Sequence, residues 1–475
     1  MSSSTQELSS AETGCPPEEI LSTQEIDASC RYPVLLFFIS AAVWFLFSAV
    51  LGLLAPIKFH SPNFFTHCPW LTYGRIHPVQ LDSFVYGFAA QAAFGVTLWL
   101  FCRLGRTCLF APKVLLLVAK IWNLGVLIGC AGILAGDSTG IAWLEFPRYA
   151  SSILFAAYLL FGIWAVLTFH ARRQRQLFPT QWYLLAALFW FAWIFSAANM
   201  LLVFAPVRGV VQICVSAWYA SNLLHVWLAT IGLGTIFYFI PKLTNRPLHS
   251  YYLALFSFWG IALFGGWGFI NVNAPLPSWI PALSAVAAMM MILPLICVAL
   301  NLRGIFGVKS ATPILSFIKF GAISFLVSES MAILSSLRPL NKILFFTYFT
   351  TAQTDLLLQG FFASVMFGAI YYILPRVLGV EWQKSIRSHF LTFTIGVLVY
   401  VLALAVGGIV QGINLNNPQI PFADVIKGTL PFLHISLLGS LLLVMSGILF
   451  LRNLLSLCIS YSRACWENKK SEARS

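Results

Sequence analysis

The chain has 475 residues, of which 59% are hydrophobic and only 9% charged, and its mean hydropathy is +0.85. A soluble core of this length does not need so much apolar surface, whereas helices that face lipid require it. The formal net charge of +13 does not indicate nucleic-acid binding, because the basic residues fall in alternate loops, as they do in membrane proteins. We therefore predict a polytopic, all-α protein that contacts the lipid bilayer and binds no nucleic acid.

The first 30 residues are polar and rich in acids. They have neither the basic start nor the apolar run of a cleaved signal. We expect residues 1–30 to form a disordered cytoplasmic tail, residues 31–457 to form one membrane domain, and residues 458–475 to form a basic cytoplasmic tail.

Twelve apolar stretches follow, each long enough to cross a hydrocarbon layer of about 30 Å, which takes about 20 helical residues. In chain order they cover residues 33–55, 78–102, 114–135, 151–170, 182–204, 217–240, 251–270, 279–300, 312–336, 345–374, 390–412 and 431–457. No repeat at a fixed period is visible. The expected fold is a single bundle of twelve transmembrane helices.

The basic residues of the loops are distributed unevenly between the two sides of this bundle. One side has 20 and the other has 7, with Lys120 inside a helix. The poorer side contains Lys58, Arg75, Arg148, Arg208, Arg338, Lys342 and Lys427. Because the cytoplasmic loops of membrane proteins are enriched in Lys and Arg, we predict that both termini are cytoplasmic.

The ten cysteines are scattered, without a C-x-x-C or C-x-x-C-H pattern. They predict neither a disulfide framework nor covalently attached heme.

Four segments carry a family likeness. They read TYGRIHPVQLDSFVYGFAAQ at 72–91, WYASNLLHVW at 218–227, YFIPKLTNRPLHSYYLALFSFWG at 238–260 and FGAIYYILPRVLGVEW at 367–382. In these segments the chain resembles subunit I of the heme–copper oxidases, specifically the C-type (cbb3-type) catalytic subunit, from about residue 30 to residue 457. The resemblance also implies a cytochrome c oxidase subunit I bundle of twelve helices.

The resemblance implies a respiratory activity for the family. Its members pass electrons through a low-spin heme to a second heme that faces copper, where oxygen is reduced and protons are moved. Six histidines hold these metals, because neutral imidazole is a ligand that suits both heme iron and copper.

The positions that match the family's histidines hold other residues in this chain. In the second helix the low-spin heme ligand corresponds to Gln80, and in the sixth helix the first copper ligand corresponds to Ser221. The H-x-H pair of the tenth helix, which binds both hemes, corresponds to Gln353 and Asp355.

The seventh helix departs from the family in the same way. Its two copper ligands correspond to Asn271 and Val272, and the family's active-site tyrosine corresponds to Gly265. Because the flanking residues match closely, a shift of register cannot explain all of these replacements. We predict that no metal and no cofactor is bound.

Several polar residues remain within or near the apolar stretches. The acids Asp82, Glu329 and Asp355 would be functional by default, since a charged carboxylate in lipid is costly. We favour the interpretation that Asp82 and Asp355, with Gln80, Gln353 and water, fill the space left by the macrocycle; an ion or proton path is the alternative. His225 lies one turn after Ser221 and is interpreted as a packed, hydrogen-bonded histidine, because a lone imidazole cannot form a copper site.

Three hypotheses for function follow. The first is a heme-less, non-catalytic paralogue that acts as a structural, docking or assembly subunit of a respiratory membrane complex, because a fold can persist after its site is lost. The second is an active cytochrome c oxidase subunit with heme b and copper. The third is a proton or solute conduit. We expect the protein to lie in a prokaryotic inner membrane with other, unidentified subunits.

Overall fold

The computed structural model describes residues 22–472 except 62, 66, 269, 271–274, 307, 309–311 and 383. These residues form helices and connecting segments, with no β-strand among them. The helices, numbered in chain order, are α1 Thr23–Ser29, α2 Arg31–His60, α3 Tyr73–Gly105, α4 Pro112–Ala135, α5 Arg148–His170, α6 Pro179–Phe204, α7 Val210–Thr244, α8 Tyr251–Phe264, α9 Trp279–Met290, α10 Ile292–Phe306, α11 Pro313–Ser336, α12 Arg338–Leu344, α13 Tyr348–Leu378, α14 Ile386–Leu415 and α15 Phe422–Glu472.

The described residues contain eleven spans that are long and apolar enough to cross a membrane, with α9 and α10 forming one of them. The predicted polytopic helical bundle is thereby confirmed. A further apolar helix, α8, has only 14 residues, fewer than the about 20 that a bilayer requires. The number of twelve spans therefore stays a prediction.

Several helices end at other residues than predicted, and the local sequence explains where. The span 279–300 is broken at Met291, because Pro294 has no N–H to bond the carbonyl of Met290. Helix α8 ends at Phe264, where the pair Gly265 and Gly266 follows. Helix α15 has 51 residues, and the predicted domain boundary at residue 457 falls inside it.

The predicted N-terminal tail is partly helical. Residues 1–21 lie outside the described part of the chain, but residues 23–29 form α1, which Ser22 caps by accepting a hydrogen bond from the Glu25 amide. Asp27 of this helix is 5% exposed; its carboxylate accepts hydrogen bonds from Trp99 Nε1 (2.9 Å) and Arg103 Nη1 (3.1 Å). The expectation of disorder is therefore wrong for this short segment, because a buried ion pair anchors it to α3.

One cysteine departs from the sequence expectation. Cys108, in the connection after α3, is disulfide-bonded, which the scattered cysteines did not predict. The other cysteines that the structure describes are free.

Helices α3, α7 and α13 form the centre of the bundle. The most apolar windows of these three helices are 100%, 94% and 94% buried, whereas those of the other spans are 33–50% buried. Each central helix contains one wider, π-helical segment in its interior: Ser83–Ala89, Asn222–Leu228 and Leu356–Ala363. The remaining helices surround this core and face lipid with their outer sides.

Glycines allow α14 to approach its neighbours closely. A Cβ atom on Gly408 would overlap the backbone of Phe349, and one on Gly412 would overlap the carbonyl of Ile343. Small residues of this kind let helix backbones come together in membranes, where the hydrophobic effect does not drive helices together.

Candidate functional site

The central helices bring the predicted ligand positions to the ends of their π-helical segments. Gln80 lies three residues before Ser83–Ala89, Ser221 directly precedes Asn222–Leu228, and Asp355 directly precedes Leu356–Ala363. A π-helical turn inserts one extra residue and re-aims the side chains around it, and such turns are frequent at functional sites. The backbone thus has the same irregularity beside each of these three positions.

Gln80 lies where the family's low-spin heme ligand would be, in a nearly filled space. It lines a cavity of about 20 Å³ with Phe84, Gln359 and Tyr400. Such a volume holds one or two water molecules, each of which needs about 10–15 Å³. Gln80 also packs against α2, since a Cβ on Gly52 would be 3.6 Å from its Cγ. The described residues around Gln80 therefore leave no space of the size of a macrocycle.

Asp355 of α13 contacts two of the residues that line this small cavity. Its buried carboxylate lies within hydrogen-bonding reach of the Tyr400 hydroxyl and the Gln359 amide, both of which line the cavity with Gln80. The amide and hydroxyl donors satisfy a carboxylate that would otherwise be costly inside the bundle. Asp355 therefore contacts Tyr400 and Gln359, which line the cavity beside Gln80.

A larger cavity of about 260 Å³ lies beside the position of the second heme and copper. Its polar lining comes from α7, α9, α11, α12 and α13. The polar residues include Ser221, His225, Ser335, Ser336, Asn341, Thr350, Gln353 and Thr354. The Oδ1 atom of Asn341 is buried and accepts no hydrogen bond within the described part of the protein. The cavity can thus hold polar molecules such as water.

The residue at the first copper position is engaged with the backbone. Ser221 Oγ donates to the carbonyl of Gly268 at 2.8 Å. The neighbouring Asn222 is also saturated: its Oδ1 accepts from Trp190 Nε1 at 2.8 Å, and its Nδ2 donates to the carbonyls of Trp218 and Gly266. These contacts hold α7 against the turn after α8.

Asn271 and Val272, which match the other two copper ligands, lie outside the described residues. Among the residues that the structure does describe, no three His, Cys, Asp or Glu side chains lie close enough together to hold a metal ion. The histidine nearest to Gln80 in sequence is His77, whose ring lies 5.3 Å from that of Tyr73.

His225 and Glu329 form a buried pair between α7 and α11. His225 Nδ1 and Glu329 Oε1 are 2.9 Å apart, and the two side chains are 6% and 1% exposed. The second carboxylate oxygen of Glu329 has no hydrogen-bond partner in the described structure. Two of the polar residues that the sequence singled out therefore contact each other, which their separation in sequence did not indicate.

Asp82 contacts a glutamate that the sequence analysis missed. Its carboxyl group lies within hydrogen-bonding reach of that of Glu145, in the connection between α4 and α5. Apart from Glu145, no described residue donates a hydrogen bond to either oxygen of Asp82. One of the two carboxyls must therefore carry a proton and donate it to the other, because two adjacent carboxylates repel each other.

Burial is the main influence on the Glu145 carboxyl. It raises the pKa of Glu145 from 4.5 to about 7, although hydrogen bonds from Asp82 and from nearby backbone amides act in the opposite direction. A group with this pKa exchanges its proton near neutral pH.

Two tyrosines extend the polar contacts from this pair toward the larger cavity. The Tyr86 hydroxyl donates to the carbonyl of Trp143 and lies 2.6 Å from the Tyr219 hydroxyl. Asp82 and Tyr86 are four residues apart in α3 and so lie on the same face. Trp143 itself lines the larger cavity. A signal for Glu145 did exist in the sequence, since it is the only charge in the apolar run IAWLEFP at 141–147.

Comparisons with known proteins agree with the geometry of the bundle. The family model described as "Cytochrome C and Quinol oxidase polypeptide I" matches residues 32–442. The chain is 26% identical over 398 residues to a cbb3-type cytochrome c oxidase subunit CcoN1 of Stutzerimonas stutzeri, covering 79% of this chain and 83% of the relative.

Two further relatives are called cytochrome c oxidase subunit 1 homologs. The one from Agrobacterium tumefaciens is 23% identical over 468 residues (93% of this chain, 85% of the relative), and the one from Azorhizobium caulinodans is 23% identical over 463 residues (91% and 83%). The family model covers most of the chain, and the central helices contain the positions that match the family's ligands. This protein therefore belongs to the subunit I family of the heme–copper oxidases and resembles its cbb3-type members.

Proposed function

We propose that this protein is a heme-less, non-catalytic member of its family, which serves as a structural, docking or assembly subunit of a respiratory membrane complex. The observation that carries the proposal is the packing at two positions that match heme ligands: the Asp355 carboxylate contacts Tyr400 and Gln359, and Gln80 lines a cavity of only about 20 Å³. A porphyrin is many times larger than this space.

The chemistry of the donor groups supports the same proposal. Amide and hydroxyl oxygens bind heme iron and copper far less well than imidazole does. The groups in question are also already engaged, Ser221 with the Gly268 carbonyl and Asp355 with Tyr400 and Gln359. The residues at these positions therefore do not fit heme or copper.

The larger cavity gives the second heme little room. Its volume of about 260 Å³ falls below the about 300–1,000 Å³ typical of pockets that hold drug-sized ligands. Glu329 already contacts the imidazole of His225 in a buried pair. A metal in this region would need that imidazole as a ligand. We propose that water and polar side chains fill this region.

We also propose an orientation, with both termini in the cytoplasm of a prokaryotic cell and the bundle in its inner membrane. Support comes from three arginines that the charge distribution placed on one side. Arg31 donates to the carbonyl of Val377, Arg103 to the carbonyl of Thr23 and Arg376 to the carbonyl of Tyr372. These contacts gather the ends of α2, α3 and α13 at one surface of the bundle.

A spectrum of the purified protein tests the absence of heme. We expect no reduced-heme band in the visible region and substoichiometric iron and copper by elemental mass spectrometry. A cbb3-type subunit I that retains the six histidines, purified in the same detergent, is the positive control. Stoichiometric iron with a b-type spectrum would overturn the proposal.

A genetic experiment tests the structural role. Deletion of the gene should reduce the amount of an assembled respiratory complex on native gels, and the wild-type gene should restore it. The Gln353→Ala variant should restore it equally well, because a scaffold does not use this side chain for catalysis. Unchanged complexes after deletion would contradict an assembly role.

A second candidate function, a proton conduit, has one specific observation in its favour. Asp82, Glu145, Tyr86 and Tyr219 form a short series of buried, protonatable groups. Proton flux into vesicles reconstituted with wild-type protein, Asp82→Asn and Asp355→Asn would test it. If vesicles with the wild-type protein have the same proton flux as protein-free vesicles, the conduit is excluded.

A further inference from the structure

A groove of about 510 Å³ runs along the outer face of α15, where this helix meets α2 and the segment before α14. Its apolar wall consists of the side chains of Leu46, Ile448, Leu451, Leu455 and Ile459. About half of the surface of Ile448 and Ile459 is exposed (53% and 54%). We call this feature the interfacial groove; its wall offers an apolar surface to a hydrocarbon chain.

Three cations also line the interfacial groove. They are Lys384, Arg452 and Arg463, and no acidic side chain accompanies them in the lining. All three are exposed, and none forms an ion pair with a carboxylate among the described residues. Arg452 makes one long hydrogen bond, 3.4 Å, to Asn453 Oδ1. The groove therefore has an excess of positive charge that no carboxylate of the described residues neutralises.

The cations lie near one end of the bundle. Arg452 and Arg463 are eleven residues apart, so they share one face of α15 and are separated along its axis by about 16 Å. Between them, Tyr461 accepts a hydrogen bond from Arg31 at the start of α2. Lys384 lies two residues before the start of α14. The ends of α2 and α14 thus place the cations at the boundary between hydrocarbon and water, with Ile448 and Leu451 on the hydrocarbon side.

We propose that the interfacial groove binds an anionic glycerophospholipid of the surrounding bilayer. Lys384 and Arg452 neutralise the phosphate, Arg463 contacts the outer part of the headgroup, and an acyl chain lies along Leu451 and Ile448. Basic pockets between transmembrane helices on the cytoplasmic side recognise anionic headgroups in this way. The inference does not depend on the proposed function, because it uses neither the ligand positions nor the central helices.

Native mass spectrometry of the full-length protein, released from detergent micelles with added phosphatidylglycerol or phosphatidylcholine, tests the proposal. We expect the wild type to retain one phosphatidylglycerol in preference to phosphatidylcholine. The triple variant K384Q/R452Q/R463Q should bind phosphatidylglycerol about a hundredfold more weakly, since each cation near a membrane surface contributes roughly a factor of five.

A matched control separates the groove from general charge. The triple variant K113Q/R175Q/K242Q removes three exposed cations that the sequence places on the same side of the membrane but outside the groove. It should bind phosphatidylglycerol like the wild type, and thermal unfolding should show that both variants are folded. Equal loss in the two variants, or equal binding of phosphatidylcholine by the wild type, would overturn the proposal.

A variant that fills the groove without changing its charge provides a second test. Ile448→Trp places a bulky side chain where the acyl chain would lie, on a position that is half exposed. We expect it to weaken the retention of phosphatidylglycerol while all three cations remain. Retention equal to that of the wild type would show that the cations bind the headgroup without the groove, contrary to the proposal.

Discussion

The buried carboxyl pair makes the stability of this protein depend on pH near neutrality. Burial raises the pKa of Glu145 from 4.5 to about 7. Between these two pH values the folded protein keeps a proton that the unfolded chain has released. The free energy of unfolding must therefore fall as the pH rises from about 4.5 to about 7, and the loss is complete above the folded-state pKa.

The size of the effect follows from the same shift. One pKa unit corresponds to about 1.4 kcal/mol, so a rise from 4.5 to about 7 corresponds to about 3 kcal/mol between the two limits of pH. Glu145→Gln keeps the shape of the side chain and removes its ionisation. We expect this variant to lack the pH-dependent loss and to be more stable than the wild type at pH 8.

Unfolding by SDS in mixed micelles, followed by circular dichroism from about pH 4.5 to about pH 8, measures the difference. Asp82→Asn should keep most of the dependence, because burial of Glu145 is the main cause of its raised pKa. The exposed Glu381 supplies a control, and Glu381→Gln should follow the wild type. Parallel curves for the wild type and Glu145→Gln would refute the reasoning.

Three further predictions concern packing and ligand positions. Glu329→Ala removes the partner of a buried histidine and should lower the free energy of unfolding by about 2 kcal/mol; an unchanged SDS midpoint would contradict it. Gly408→Ala, which forces a methyl group against backbone, should destabilise by about 1–3 kcal/mol, whereas Gly304→Ala, with open space around it, should not destabilise. The Gln80→His/Asp355→His double variant should still lack a reduced-heme spectrum, since the cavity there is about 20 Å³, and a b-type band would show that space is not limiting.

Much of the bundle could be predicted from the sequence because lipid imposes continuous apolar runs on the spanning helices. The ends of the helices were harder to predict. Helix α15 continues for 15 residues beyond residue 457, since a polar sequence can stay helical once it has left the hydrocarbon. The short helix α1 was missed because its stability comes from Asp27, whose partner Arg103 is 76 residues away.

The candidate site likewise has features that could be predicted from the sequence and features that could not. Local motifs located Gln80, Ser221 and Asp355 in the central helices, because these residues lie beside recognisable segments of the family. The pairing of Asp82 with Glu145 depends on how two distant parts of the chain meet, and no local pattern encodes it. The volumes of the two cavities depend on side-chain packing from several helices, which a sequence taken alone does not give.

The length of α15 has a consequence for the surroundings of the protein. Its 51 residues make a rod of about 76 Å, at 1.5 Å per residue, whereas the hydrocarbon layer is about 30 Å thick. Beyond the contact of Arg31 with Tyr461, the rod continues for eleven more residues as a stalk. In the orientation that we propose, this stalk extends the bundle on its cytoplasmic side.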